Sequence, residues 1–209
     1  MLTGGPLLSA LETIPPIQLG VRFWRVVTTS SLLGLVHDAD GQLSVTRIHP
    51  DLLFAGGAGR SGGRYTPIDG PDTLYLASSE RVANAEWRAG FLALFPGADL
   101  PPKTVFSAQV YLSRVLDLST DETQRTLDTN SAEPAQPWKA RKEVATQELG
   151  LACFESGRFS ALRYRSTKGA PSFCLAVFPK RLVPGEYVSV LDPQEFFSQL
   201  QLRRERCQW

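Results

Sequence analysis

Hydrophobic and polar positions along the chain change period several times. Val21 to Thr28 (VRFWRVVT) is β-branched and aromatic and predicts a strand. Ala55 to Gly63 is glycine-rich and reads as a loop, and Thr73 to Ala77 (TLYLA) reads as a short buried strand. Ser79 is placed to cap a helix that runs to about Phe95, where Pro96, Gly97 and the Pro101-Pro102 pair end it. Thr104 to Leu118 alternates in part and predicts another strand. A short helix follows over Asp121 to Leu127, then a loop over Ser131 to Pro137 and a helix over Trp138 to Ala152. Ala161 to Tyr164, Phe173 to Phe178 and Tyr187 to Leu191 read as strands. Pro193 to Arg204 predicts an amphipathic closing helix, with apolar Phe196, Phe197, Leu200 and Leu202 followed by Arg203, Arg204 and Arg206. Packing is its expected role, with the basic residues complementing the helix end.

Strands dominate the middle and the end, and no regular βαβ alternation is present. That order predicts an α+β fold rather than a doubly wound sheet. No repeat and no low-complexity tract divides the chain, so a single domain over 1–209 is expected, with its core at about 21–192.

Composition narrows the classes of function. The 209 residues are 43% hydrophobic, enough for one core. A formal net charge of +1 gives no electrostatic reason to expect direct binding to nucleic acid or a membrane surface. No stretch approaches the roughly 18 apolar residues of a membrane span. The start, MLTGGPLLSALETIPP, lacks the basic region and long apolar core of a signal peptide. Cys153, Cys174 and Cys207 form no CxxC pair, which fits a reducing cytoplasm. His37 and His49 are the only imidazoles, too few to favour a zinc site, so no metal is expected.

Gly57-Ala-Gly59-Arg-Ser-Gly62 matches GxGxxG, the dinucleotide fingerprint, which must join a strand to a helix. The sequence that follows it, with Pro67, Gly70 and Pro71, does not open a helix. These glycines are expected to let the backbone turn or approach a ligand closely.

Four other segments stand together. They are Gly62-Gly63-Arg64-Tyr65, Leu74-Tyr75-Leu76-Ala77-Ser78-Ser79, Ala83-Asn84-Ala85-Glu86-Trp87, and Arg163-Tyr164-Arg165-Ser166. Arg64, Tyr75 and Glu86 are spaced eleven residues apart. In this order the chain resembles the RES family, named for its arginine, glutamate and serine. Relatives carry GGRW, YxAxS, AxxE and late YxS segments. Phe23-Trp24-Arg25 and a helix from Trp138 ending in Gln-Glu-Leu-Gly at Gly150 also fit. The sequence departs from the pattern at Tyr65, where relatives have Trp, and at Thr66, where they often have Asn.

The resemblance implies an ADP-ribosyltransferase-like core, a mixed β-sheet with flanking helices, acting on NAD⁺ as substrate. It implies the toxin of a type II toxin–antitoxin pair, in a hetero-oligomer with an Xre-family helix-turn-helix antitoxin covering the active site. Degradation of NAD⁺ by a glycohydrolase or phosphorylase is the expected activity. A protein mono-ADP-ribosyltransferase and a non-catalytic interaction module are the alternatives.

The residues have chemistry to match. Cleaving the nicotinamide–ribose bond expels a neutral leaving group and develops positive charge on the ribose. Such a site needs a carboxylate near the sugar, a cation for the pyrophosphate and an aromatic surface. Glu86 is the candidate carboxylate: on the predicted helix it shares a face with Val82, Ala89 and Ala93, and the family pattern favours this role over an ordinary solvated helix glutamate. Arg64 either offers a planar fork for phosphate or is a surface arginine of a polar loop, and the family pattern favours the first. Arg25 either binds phosphate too or makes a structural ion pair on its strand. Tyr75, and with it Tyr65, either contacts nicotinamide or fills the core. Ser166 either orients Glu86 or the nicotinamide amide, or is an ordinary turn residue. It lacks the context of a hydrolase nucleophile.

Overall fold

The computed structural model describes residues 1–33, 35–37, 43–45, 52–130, 145–169 and 171–194. Strand β1 (Ile17–Thr28) runs antiparallel to the longest strand of the fold, β5 (Lys103–Asp117), along almost its whole length. On β5 the residues Phe106, Ala108, Val110 and Leu112 are buried at every second position, the alternation expected of a strand with one face in a core. The other edge of β5 has two partners. Ala108 to Tyr111 pair antiparallel with β8 (Tyr187–Val190), and Val115 to Asp117 pair parallel with β6 (Ala161–Arg165).

Between these two stretches the Ser113 and Arg114 amides face no strand. The buried carboxylate of Glu186 fills the gap. Its Oε1 accepts from Ser113 N–H at 2.9 Å, Arg114 N–H at 3.1 Å, Ser113 Oγ at 2.9 Å and Ser160 Oγ at 3.0 Å. Its Oε2 accepts from Val183 N–H at 3.1 Å and meets the Arg114 guanidinium at 3.5 Å. Burial opposes the charge, but these donors together outweigh it and hold the carboxyl below the ordinary glutamate value.

Strand β6 pairs with β7 (Phe173–Val177), β7 with β4 (Leu74–Ala77), and β4 returns to β1 through the Trp24–Ala77 bridge. The pairing therefore closes on itself as β1-β4-β7-β6-β5-β1, with β8 outside the ring. One parallel pair among antiparallel ones makes the sheet mixed, and helices flank it, as the α+β expectation required. A separate hairpin joins β2 (Leu35–His37) to β3 (Leu43–Val45).

Two apolar clusters lie on opposite faces of β4. Leu74 and Leu76 join Phe23, Val110, Leu112 and Leu175. Ala77 joins Leu116, Leu149, Leu162 and Phe178, together with Leu7 and Leu11 of α1 (Gly4–Thr13). The sequence reading placed no element at α1. Its capping explains why. Thr3 makes no side-chain cap, and the Gly4 amide is instead satisfied by Glu148 Oε1 at 2.8 Å, from far along the chain.

Helix α4 (Glu80–Leu94) begins where predicted, with Ser79 Oγ accepting from Val82 N–H at 3.3 Å. Helices α2 (Thr29–Leu33) and α5 (Asp121–Thr126) are short. The glycine-rich stretch is not a loop: Gly56–Ser61 forms a turn and a half of helix, α3. Packing imposes it. A Cβ on Gly56 would lie 2.5 Å from the Phe54 ring, and one on Gly59 would lie 2.8 Å from the Gly70 carbonyl. Helix α6 spans Ala145–Ser156 and runs past the predicted end at Ala152, while the predicted stretch from Trp138 to 144 lies outside the described residues. So do the 131–137 loop and all but the first two residues of the predicted closing helix.

Candidate active site

A cavity of ≈ 870 Å³ opens between β1, β4, α3 and α4. Its size is within the range of small-molecule and cofactor sites. Arg64, Tyr75 and Glu86 all line it, so residues eleven apart in sequence converge on one space. On α4 the predicted face is confirmed: Val82 is fully buried, and Glu86, Ala89 and Ala93 form part of the cavity wall.

Glu86 is half-buried and held from behind. Ser166, just beyond β6, donates its hydroxyl to Glu86 Oε1 at 2.8 Å. The serine is fixed in turn, since its Oγ accepts from the Lys168 amide at 3.0 Å and its own amide donates to the Ser172 carbonyl at 2.8 Å. Ser166 is absent from the wall itself, so its contact with the cavity runs through the carboxylate. Cys174 of β7 lies 4.0 Å from the same oxygen. Burial first, and the Glu86 charge second, push its thiol up to about 12, so it stays protonated and is no nucleophile.

Tyr75 presents its ring to the cavity and its hydroxyl to the adjacent turn. The oxygen accepts from Tyr65 N–H at 2.9 Å and shares a hydrogen bond with Thr66 Oγ1 at 2.9 Å. Burial pushes the phenol up to about 12, so it is neutral near pH 7. The close fit also explains Gly63, where a Cβ would stand 2.6 Å from the Tyr75 hydroxyl.

Tyr65 is fully buried and does not reach the wall. Its ring packs against Tyr164 with centroids 4.8 Å apart, and its hydroxyl has no hydrogen-bond partner among the described residues. The structure thus places the Tyr65 ring in the core and not in the cavity. Arg25 does line the cavity, yet its guanidinium also donates to the carbonyls of Leu52 at 3.2 Å and Phe54 at 2.8 Å. These bonds tie the segment before α3 to β1.

Several wall residues were not singled out from sequence. Trp24, Trp87, Phe91 and Phe95 add four aromatic rings to the wall, and Lys168 adds a cation two residues from Ser166. The rings at 87, 91 and 95 follow each other at one-turn spacing along α4, a signal that was present in the sequence. Among the described residues no group of three or more His, Cys, Asp or Glu side chains is placed to hold a metal ion, and no helix is long and apolar enough to cross a membrane.

No curated protein matches the sequence. Among solved structures the chain is similar to one in the crystal structure of the M. tuberculosis MbcT-MbcA toxin-antitoxin complex. The TM-score is 0.59 at 17% identity, over 95% of this chain and 98% of that one. The profile of the RES domain matches residues 44–197, a span that holds Arg64, Tyr75, Glu86 and Ser166. The protein belongs to the RES domain family.

Proposed function

We propose that the chain is the toxin of a toxin–antitoxin pair and that it degrades NAD⁺ at the nicotinamide–ribose bond. The observation that carries the reading is the Ser166–Glu86 hydrogen bond of 2.8 Å at the wall of a cavity that Arg64 also lines. It holds a carboxylate in a fixed orientation, with a guanidinium in the same space.

In the proposed reaction the C1′–N bond breaks and both electrons go to the nicotinamide nitrogen, cancelling its positive charge. No general acid is needed. Positive charge passes to the ribose, where the Glu86 carboxylate stabilises it. Water then adds at C1′ and loses its proton to solvent, giving ADP-ribose, nicotinamide and H⁺. Phosphate as acceptor gives the phosphorylated sugar instead. Arg64 holds the pyrophosphate by its planar fork, and the Tyr75 ring supplies an apolar surface beside the reacting end.

The partner is proposed to be an Xre-type helix-turn-helix antitoxin. The neighbouring structure is of a toxin–antitoxin complex, which supports a protein partner. The test is NAD⁺ consumption by the purified protein, with and without phosphate. Wild type is expected to deplete NAD⁺. Glu86→Gln is expected to fold normally and lose at least about tenfold, mainly in kcat. Full turnover by folded Glu86→Gln would remove the carboxylate from the reaction. In cells, wild type alone should lower NAD⁺ and stop growth, while Glu86→Gln should do neither.

A further inference from the structure

We propose that Gln147 is a positioning residue for Arg64, and that through it helix α6 sets the grip on the pyrophosphate of the dinucleotide. The pyrophosphate as ligand rests on the function proposed above. The contacts that orient the Arg64 backbone do not depend on that reading.

Arg64 enters the cavity from the tight turn Gly63–Thr66, closed by a Gly63 N–H to Thr66 carbonyl bond of 2.7 Å. Two peptide planes flank its Cα. The first contains the Gly63 carbonyl, and Gln147 Nε2 donates to that oxygen at 2.9 Å. The second contains the Tyr65 amide, which donates to the Tyr75 hydroxyl at 2.9 Å. The φ and ψ of Arg64 are the rotations between those two planes. Two side chains from two separate elements therefore fix both dihedrals, and with them the direction in which the arginine leaves the backbone. Tyr75 belongs to the same device: its hydroxyl is committed to the turn.

The same reasoning gives every residue of Gln147-Glu148-Leu149-Gly150 a task. Gln147 holds the Gly63 carbonyl, Glu148 caps α1, and Leu149 is fully buried in the core. Gly150 lets the turn lie directly on the helix, since a Cβ there would stand 1.9 Å from the Tyr65 carbonyl. Helix α6 is the platform on which the arginine turn rests.

The test compares Gln147→Met, which keeps the length of the side chain but loses the donor, with wild type. Thermal unfolding and hydrogen exchange of the Tyr65 amide are measured first. Both proteins are expected to unfold at similar temperatures, while that amide exchanges about tenfold faster in the variant. Steady-state kinetics then use NAD⁺ and nicotinamide riboside, which has the reacting bond but no phosphate. The variant is expected to raise KM for NAD⁺ by about tenfold, leave kcat within about twofold, and leave the riboside unaffected. In an Arg64→Ala background Gln147→Met should add nothing further. Equal losses on both substrates, an additive loss with Arg64→Ala, or unchanged exchange at Tyr65 would overturn the positioning role. Absence of NAD⁺ turnover by wild type would instead overturn the proposed reaction, with the exchange measurement still deciding the orientation of Arg64.

Discussion

Ser166 and Glu86 are 80 residues apart in the chain and 2.8 Å apart in space. One sits beyond β6 and the other on α4, and the hydrogen bond holds the wall carboxylate from behind. Ser166→Ala is expected to leave the carboxylate in place but free to rotate. A hydrogen bond to a charged group contributes about 1.5–3 kcal/mol. The loss in kcat should therefore be roughly tenfold or more, with little change in KM, and smaller than for Glu86→Gln. Steady-state kinetics on the purified variant check this, and a loss confined to KM would place Ser166 in binding rather than in orienting Glu86.

Arg64→Ala should weaken NAD⁺ binding more than Arg64→Lys. Lysine keeps the charge but loses the planar pair of donors. Calorimetric titration should rank wild type above Lys and Lys above Ala. Equal affinity across the three would take Arg64 out of the site.

Gly150→Ala should damage stability and the site together. The added methyl group meets the Tyr65 carbonyl at 1.9 Å, a backbone atom that cannot swing aside. Overpacking of this kind costs about 1–3 kcal/mol. A fall in Tm of several degrees is expected, accompanied by weaker NAD⁺ binding, because the turn displaced is the one that carries Arg64. Wild-type Tm would show that α6 and the turn part easily.

Glu186 makes stability depend on pH in a stated direction. Its carboxyl is held below the ordinary value in the folded state, so its contribution is complete above that ordinary value. It is lost as pH falls through the lowered folded value. Glu186→Gln should therefore be less stable than wild type at pH 7, and the gap should close on acidification. Denaturant titrations at neutral and acid pH measure it. A gap that widens at low pH would contradict the sign.

Much of the site was legible in sequence because its signals are local. Ser79 announces α4, the 3.6 period places Glu86 beside Val82, Ala89 and Ala93, and the short apolar run marks β4. What the sequence could not convey depends on distant partners. The Tyr75 hydroxyl turns toward Tyr65 and Thr66 instead of the cavity because the Gly63–Thr66 turn lies against it. Glycines that predict a loop form α3 because Phe54 and Gly70 leave room for nothing larger. Nothing local marks Glu186, because its partners Ser113, Arg114 and Ser160 are brought to it only by the fold. The QELG segment stands out as a pattern, but its use depends on α6 lying under the turn.

The order of pairing in the closed ring has a consequence for the timing of activity during synthesis. Arg64, Tyr75 and Glu86 all emerge from the ribosome in the first half of the chain. Strand β4, which carries Tyr75, is completed on one side by β7, whose residues are made about a hundred positions later. Ser166 and Gln147 are late as well. A nascent chain thus carries its reactive residues long before it carries the parts that align them, and the cavity can take shape only when nearly the whole protein exists. Under the NAD⁺-consuming activity proposed above, this late closure would leave an interval in which the polypeptide is present but inert.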